Sequence, residues 1–128
     1  MHIVLARIDD RLIHGQVVVG WVTYTGAKHI VVINDVVAKN EMQRTLFEIA
    51  VPVHLKVTIC TVDEALSKIN NARFKNDKAL LLFTNPFDVE KLLGICNVFK
   101  SLNVGGMKFY PGKKEVFKSV YLNVKDAT

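Results

Sequence analysis

The stretch RIDDRLIHGQ, residues 7–16, sets two arginines, two aspartates, a histidine and a glycine into a short space near the start of an apolar chain. A neutral imidazole is a nucleophile, and one of its nitrogens is left to attack when the other is held by a carboxylate. Asp9 and Asp10 are both candidates for that carboxylate. Arg11, three residues before His14, brings a fixed charge and a planar fork of donors suited to phosphoryl oxygens. Gly15 lets the backbone approach a bound group closely. Together these residue types describe a histidine that handles a phosphate-sized anion. The competing reading is a solvated loop, and spacing alone does not separate the two.

Other chemistries find less support. The glycine-rich signatures GxxxxGK[ST] and GxGxxG are absent, so no nucleotide cradle is expected. His2, His29 and His54 show no metal-ligand spacing, and no metal site is expected. Cys60 and Cys96 lie far apart and read as buried, reduced thiols of a cytosolic protein. The net charge is +5, which suits an anionic partner. The excess is sharpest from Lys100 onward, where Lys108, Lys113, Lys114, Lys118 and Lys125 face only Glu115 and Asp126. The ordinary reading is a solvated lysine-rich face. With no arginine-rich run, zinc-finger spacing or aromatic platform, nucleic acid is not an expected partner. Half of the residues are apolar, enough for a core, yet no apolar run approaches the ~20 residues that span a bilayer. The first apolar run is too short for a signal peptide and is followed by Asp9 and Asp10.

The elements that must position the histidine alternate along the chain. HIVLARI (2–8), HIVVIN (29–34), LKVTIC (55–60) and ALLLFT (79–84) read as buried strands, SLNV (101–104) as a shorter one, and KSVYLNV (118–124) as a sixth. Three helix starts follow strands. Asn40 caps NEMQRTLFEIA, whose Met42, Leu46, Ile49 and Ala50 repeat at helical spacing. Thr61 and Glu64 form a capping box. Asn85 caps a helix with Pro86 at its first position and Asp88 in its first turn. Residues 15–25 have strand propensity, but Val17 with Trp21 and Val18 with Val22 make a helical face, and Gly26 suits a C-cap. A helix is therefore expected there.

That alternation predicts one domain over residues 1–128, a three-layer α/β/α fold with a mostly parallel open sheet. In such sheets ligands bind beyond the C-terminal ends of the strands. Residues 7–16 then form the first strand-to-helix connection at that edge, with His14 and Gly15 at a helix N-terminus, a ready anion site. His2 and His29 fall at the opposite edge. The connections after the second and fourth strands should border the first. That topology puts Asn34, Asp35 and Thr84 forward either as phosphate contacts or as turn and cap residues. Asp126 has the form of an N-cap, so a further helix is expected after Thr128.

RIDDRLIHGQV at 7–17, followed by Trp21, resembles the active-site region of the enzyme IIB components of the bacterial phosphoenolpyruvate-dependent sugar phosphotransferase system, in the mannose/fructose/sorbose family. The likeness continues through INDVVAKNEMQR (33–44), TNPFDV (84–89) and LNVGGM (102–107), in collinear order over nearly the whole chain. The resemblance implies a phosphohistidine carrier. It would accept a phosphoryl group from a IIA component and pass it to a sugar of the mannose, fructose, sorbose or N-acetylgalactosamine class during uptake through the membrane IIC and IID components. His14 is then the implied phosphoacceptor through Nδ1, Arg11 the phosphoryl clamp and Asp10 its support, with backbone amides or polar contacts from Gly15 and Gln16. The implied place is cytoplasmic, peripheral to the membrane transporter, with no cofactor beyond the transient phosphohistidine. Family domains are somewhat longer, which agrees with a missing C-terminal helix. Lys108, Lys113 and Lys114 would steer an acidic IIA face. The alternative is a regulatory or scaffolding homologue that no longer transfers phosphate.

Overall fold

The computed structural model describes residues 1–9, 15–95 and 102–104. The strands are β1 (His2–Ile8), β2 (His29–Ile33), β3 (Lys56–Cys60), β4 (Lys78–Phe83) and β5 (Asn103–Val104). The helices are α1 (Gly15–Thr25), α2 (Asp35–Lys39), α3 (Glu41–Ala50), α4 (Val62–Ile69) and α5 (Pro86–Ile95), with a 3-10 turn at Ala72–Phe74. The sheet runs β3-β2-β4-β1-β5, and every described pairing is parallel. The predicted sixth strand, 118–124, lies outside the described residues, as do Cys96 and the late lysines. Among the described residues no helix is long and apolar enough to cross a membrane.

The helix signals act as local chemistry requires. The Asn40 side chain accepts from the Gln43 N–H, so α3 starts where its cap stands. Thr61 and Glu64 close the capping box of α4, and those hydrogen bonds hold the Glu64 carboxyl below its ordinary range. Asn85 Oδ1 accepts from the Asp88 N–H at 3.0 Å, leaving Pro86, which has no N–H, at the first position of α5. Residues 15–25 are helical, and the helix stops at Gly26, whose φ of 73° is the left-handed region that glycine enters freely. The short helix α2 was not expected from the sequence. It is a single turn, capped by Asn34 through the Val37 N–H, and carries no periodic signal of its own.

Two apolar layers enclose the sheet. On one face Val22, Val37 and Phe47, from α1, α2 and α3, meet Ile30, Val32, Leu80 and Leu82. On the other, Val62, Ala65, Val89 and Leu92, from α4 and α5, meet Ala6, Ile8, Val31, Ile33, Leu81 and Phe83. Strands buried on both faces explain the unbroken apolar runs of the sequence. Helix α3 departs from expectation. Of its apolar positions Phe47 turns inward, whereas Met42 and Ile49 are 73% and 75% exposed. Helical spacing identified the helix but not which of two apolar stripes faces the sheet. The Cys60 thiol is buried, and burial pushes its pKa up to about 12, so it stays protonated and unreactive.

The N-terminal edge of the sheet is closed by His29, which is 1% exposed. Its Nδ1 lies 3.2 Å from Asp77 Oδ2 and its Nε2 2.7 Å from Thr58 Oγ1. The carboxylate only accepts, so the proton sits on Nδ1 and the Thr58 hydroxyl donates to Nε2. Phe74 packs edge-on against the ring, and Lys56 reaches the same Asp77 oxygen at 3.0 Å. Burial lowers the His29 pKa below 6.5, outweighing Asp77; Lys56 and the N-terminal amine act in the same sense as burial. The Asp77 carboxyl is held low by its bonds from Lys56 and His29. In the unfolded chain His29 takes up a proton near pH 6.5, while in the folded chain it does so only at lower pH. Stability should therefore fall as pH drops below about 6.5. A His29→Gln variant should show a flatter fall in urea midpoint between pH 7.5 and 5.5. An unchanged slope would remove His29 from that role.

Candidate functional site

The strand register aligns the C-terminal ends. Ile8 and Ile33 both pair with Phe83, and Ile33 also pairs with Cys60. The next residues, Asp9, Thr84, Asn34 and Thr61, therefore line one edge. The Asp9 N–H continues the ladder to the Phe83 carbonyl at 2.8 Å, and the Asn34 N–H to that of Cys60 at 3.0 Å. Helices α1, α2 and α3 pack on one face of the sheet, α4 and α5 on the other. The chain thus leaves β1 and β2 toward one face, and leaves β4, which lies between them, toward the other. The edge around Thr84 is thus a topological switch point, where open parallel sheets bind ligands.

Of the predicted site residues, Asp10, Arg11 and His14 lie outside the described residues. Their place in the chain is bounded on both sides: β1 ends at Ile8 and α1 begins at Gly15, with Gln16 next. The first turn of α1 holds no acidic residue, so no carboxylate of its own offsets the positive end of the helix.

Asn34 and Thr84 are brought together. Asn34 Nδ2 donates to Thr84 Oγ1 at 2.7 Å, while Asn34 Oδ1 accepts from the Val37 N–H at 2.9 Å. Asn85 Nδ2 donates to the same hydroxyl oxygen at 3.1 Å and to Asp88 Oδ2 at 3.2 Å. Asp35 is directed elsewhere. Its Oδ1 accepts from the Val62 N–H at 2.9 Å, so it fastens the start of α4. Asn34 is the N-cap of α2, whereas the N-cap of α4 is Thr61 and Asp35 holds the N–H that follows it. Burial raises the Asp88 pKa, opposed by the bond from Asn85 and reinforced by the nearby Asp35 carboxylate.

Beneath the edge is a charged pair that the sequence reading did not join. Arg7 is 8% exposed and Asp9 3% exposed, and Arg7 Nη2 lies 3.4 Å from Asp9 Oδ2. The guanidinium carbon sits 4.7 Å from the centroid of the Trp21 ring on α1. Asp9, one of two carboxylates open to the imidazole role, is therefore engaged with Arg7. The signal was present: an arginine inside a buried strand run needs a partner, and in a strand the residue two positions on shares its face. Among the described residues no group of three or more His, Cys, Asp or Glu residues could hold a metal.

The whole chain is similar to known proteins. Residues 3–128 match the family described as the PTS system sorbose subfamily IIB component. The sorbose-specific EIIB component of Klebsiella pneumoniae is 40% identical over 126 residues, which cover 98% of this chain and 77% of that protein. The mannose-specific EIIAB component of Escherichia coli K12 is also 40% identical over 126 residues, 98% of this chain but 39% of that longer protein. The crystal structure of the IIBSor domain of the K. pneumoniae sorbose permease matches the fold with a TM-score of 0.86 at 34% identity. That match covers 95% of this chain and 83% of the other.

Proposed function

The chain belongs to the sorbose subfamily of phosphotransferase-system IIB components, and from that membership we propose that it is a phosphohistidine carrier built on His14. The observation that carries the reading is the pair of element ends that flank His14 in the sequence. β1 stops at Ile8, at the switch-point edge of the sheet, and α1 starts at Gly15 with no acidic residue in its first turn.

In the first transfer, neutral His14 attacks the phosphorus held on a histidine of a IIA subunit. The new P–N bond forms at Nδ1 as the donor's P–N bond breaks. In the second, a sugar hydroxyl oxygen attacks that phosphorus, the P–O bond forms, the P–N bond breaks, and the hydroxyl proton is released to base. Arg11 spans phosphoryl oxygens with its fork, Asp10 supports it, and the N–H groups at Gly15 and Gln16 face the same charge. Asn34 and Thr84 supply the polar floor. The imidazole is itself the carrier, so the step draws on no metal or nucleotide. The acceptor sugar lies within the mannose, fructose, sorbose and N-acetylgalactosamine class, delivered through IIC and IID at the cytoplasmic side.

The test is intact mass after incubation with phosphoenolpyruvate, enzyme I, HPr and a matching IIA. One acid-labile phosphoryl group is expected on this chain. No addition, with the IIA confirmed as phosphorylated and cognate, would favour a regulatory homologue. Arg11→Lys keeps the charge but loses the fork, and transfer should slow by at least about tenfold. A wild-type rate would demote Arg11 to a structural role.

A further inference from the structure

Thr84 stands at the end of β4, the central strand of the switch point, and its hydroxyl oxygen is held in an unusual way. Two amide groups point N–H at it: Asn34 Nδ2 at 2.7 Å and Asn85 Nδ2 at 3.1 Å. Neither amide can be turned over without loss, because each carbonyl oxygen already accepts a backbone N–H, from Val37 and from Asp88. The pattern of donors is therefore set by the caps of α2 and α5. A hydroxyl has two lone pairs and one proton. Here both lone pairs are taken, so the proton is left to donate, and it can only point away from the two amides. Each accepted bond also polarises the O–H and strengthens it as a donor.

We propose that the Thr84 hydroxyl donates a hydrogen bond to an oxygen of the phosphoryl group carried on His14. The inference rests on the carrier reading and adds a contact residue to it. Several features favour it. No described residue takes the Thr84 proton, Thr84 is half-buried rather than lost to bulk water, and the β4 exit is flanked by those of β1 and β2. A phosphoryl oxygen is the acceptor that suits a committed donor at this edge.

The test compares wild type with Thr84→Val, which keeps the shape and loses the hydroxyl, and Thr84→Ser, which keeps the hydroxyl. Each is equilibrated with a sorbose-type IIA kept phosphorylated by phosphoenolpyruvate, enzyme I and HPr, and the phosphorylated fraction is read by intact mass. The valine variant should lower the transfer equilibrium constant by about tenfold, and the serine variant should stay within about twofold of wild type. The phosphorus NMR titration supplies a readout that packing does not move. Without the donor, the last ionisation of the phosphoryl group should occur at higher pH. Thr84→Ala replaces the valine variant if circular dichroism shows that valine does not fold. A hydroxyl-free variant with the wild-type equilibrium and titration overturns the inference, as does a serine variant as impaired as valine. A wild type that takes no phosphate overturns the carrier reading and this inference with it.

Discussion

Replacing His14 with alanine is expected to abolish phosphoryl uptake while leaving the fold in place. On the proposed carrier reading the reaction runs through one atom, the imidazole nitrogen that bonds to phosphorus. Methyl in its place leaves Arg11 and the helix N-terminus able to bind an anion but with nothing to transfer it to. The fold should not notice, because the β1 ladder ends at Ile8 and α1 begins at Gly15, so no described strand or helix includes the residue. Intact mass should show one phosphoryl group on wild type and none on the variant. The urea midpoints should agree to within about 0.5 kcal/mol of stability. Label on the alanine variant would place the phosphoacceptor elsewhere.

The largest stability effect is expected at Arg7. Its guanidinium is almost wholly buried, pairs with Asp9 and stacks on Trp21. Arg7→Met preserves much of the side chain's length and apolar contact but takes away the charge that faces the Asp9 carboxylate. Removing one member of a buried pair typically costs about 3 kcal/mol, because the remaining charge has been taken from water. Adding Asp9→Asn should recover a substantial part of that loss, since the buried carboxylate goes with it. Denaturant unfolding of the two single variants and the double measures the coupling. A cost under about 1 kcal/mol for Arg7→Met, or no recovery in the double, would reduce the pair to a surface contact.

Much of this was legible in the sequence because local chemistry sets it. Buried parallel strands announce themselves as short branched runs, and Asn40, Thr61 and Asn85 mark the helix starts by a side chain that needs only the next turn to act. The boundaries of the five described strands agreed to within one or two residues. What escaped depends on partners distant in sequence. Helix α2 is one turn fixed by Asn34, which is also tied to Thr84, fifty residues away. Asp35 could not be assigned to Val62, nor the inward stripe of α3 chosen, before the sheet order was known. His29 was rightly set at the far edge, but its bonds to Thr58 and Asp77 need three separate segments to meet.

The strand order also governs when β1 can be put in place. β1 is first in the chain, yet its sheet neighbours are β4 and β5, and its register with β4 pairs His2 with Lys78. By contrast β2 and β3 pair across a much shorter loop, His29 with Lys56. Loop-closure entropy favours the nearer pair as the earlier contact. During synthesis β1 is made well before residues 78–83, and it gains its β4 neighbour only when those have emerged. The residues that follow β1 are thus made well before the strand that leads into them finds its place in the sheet.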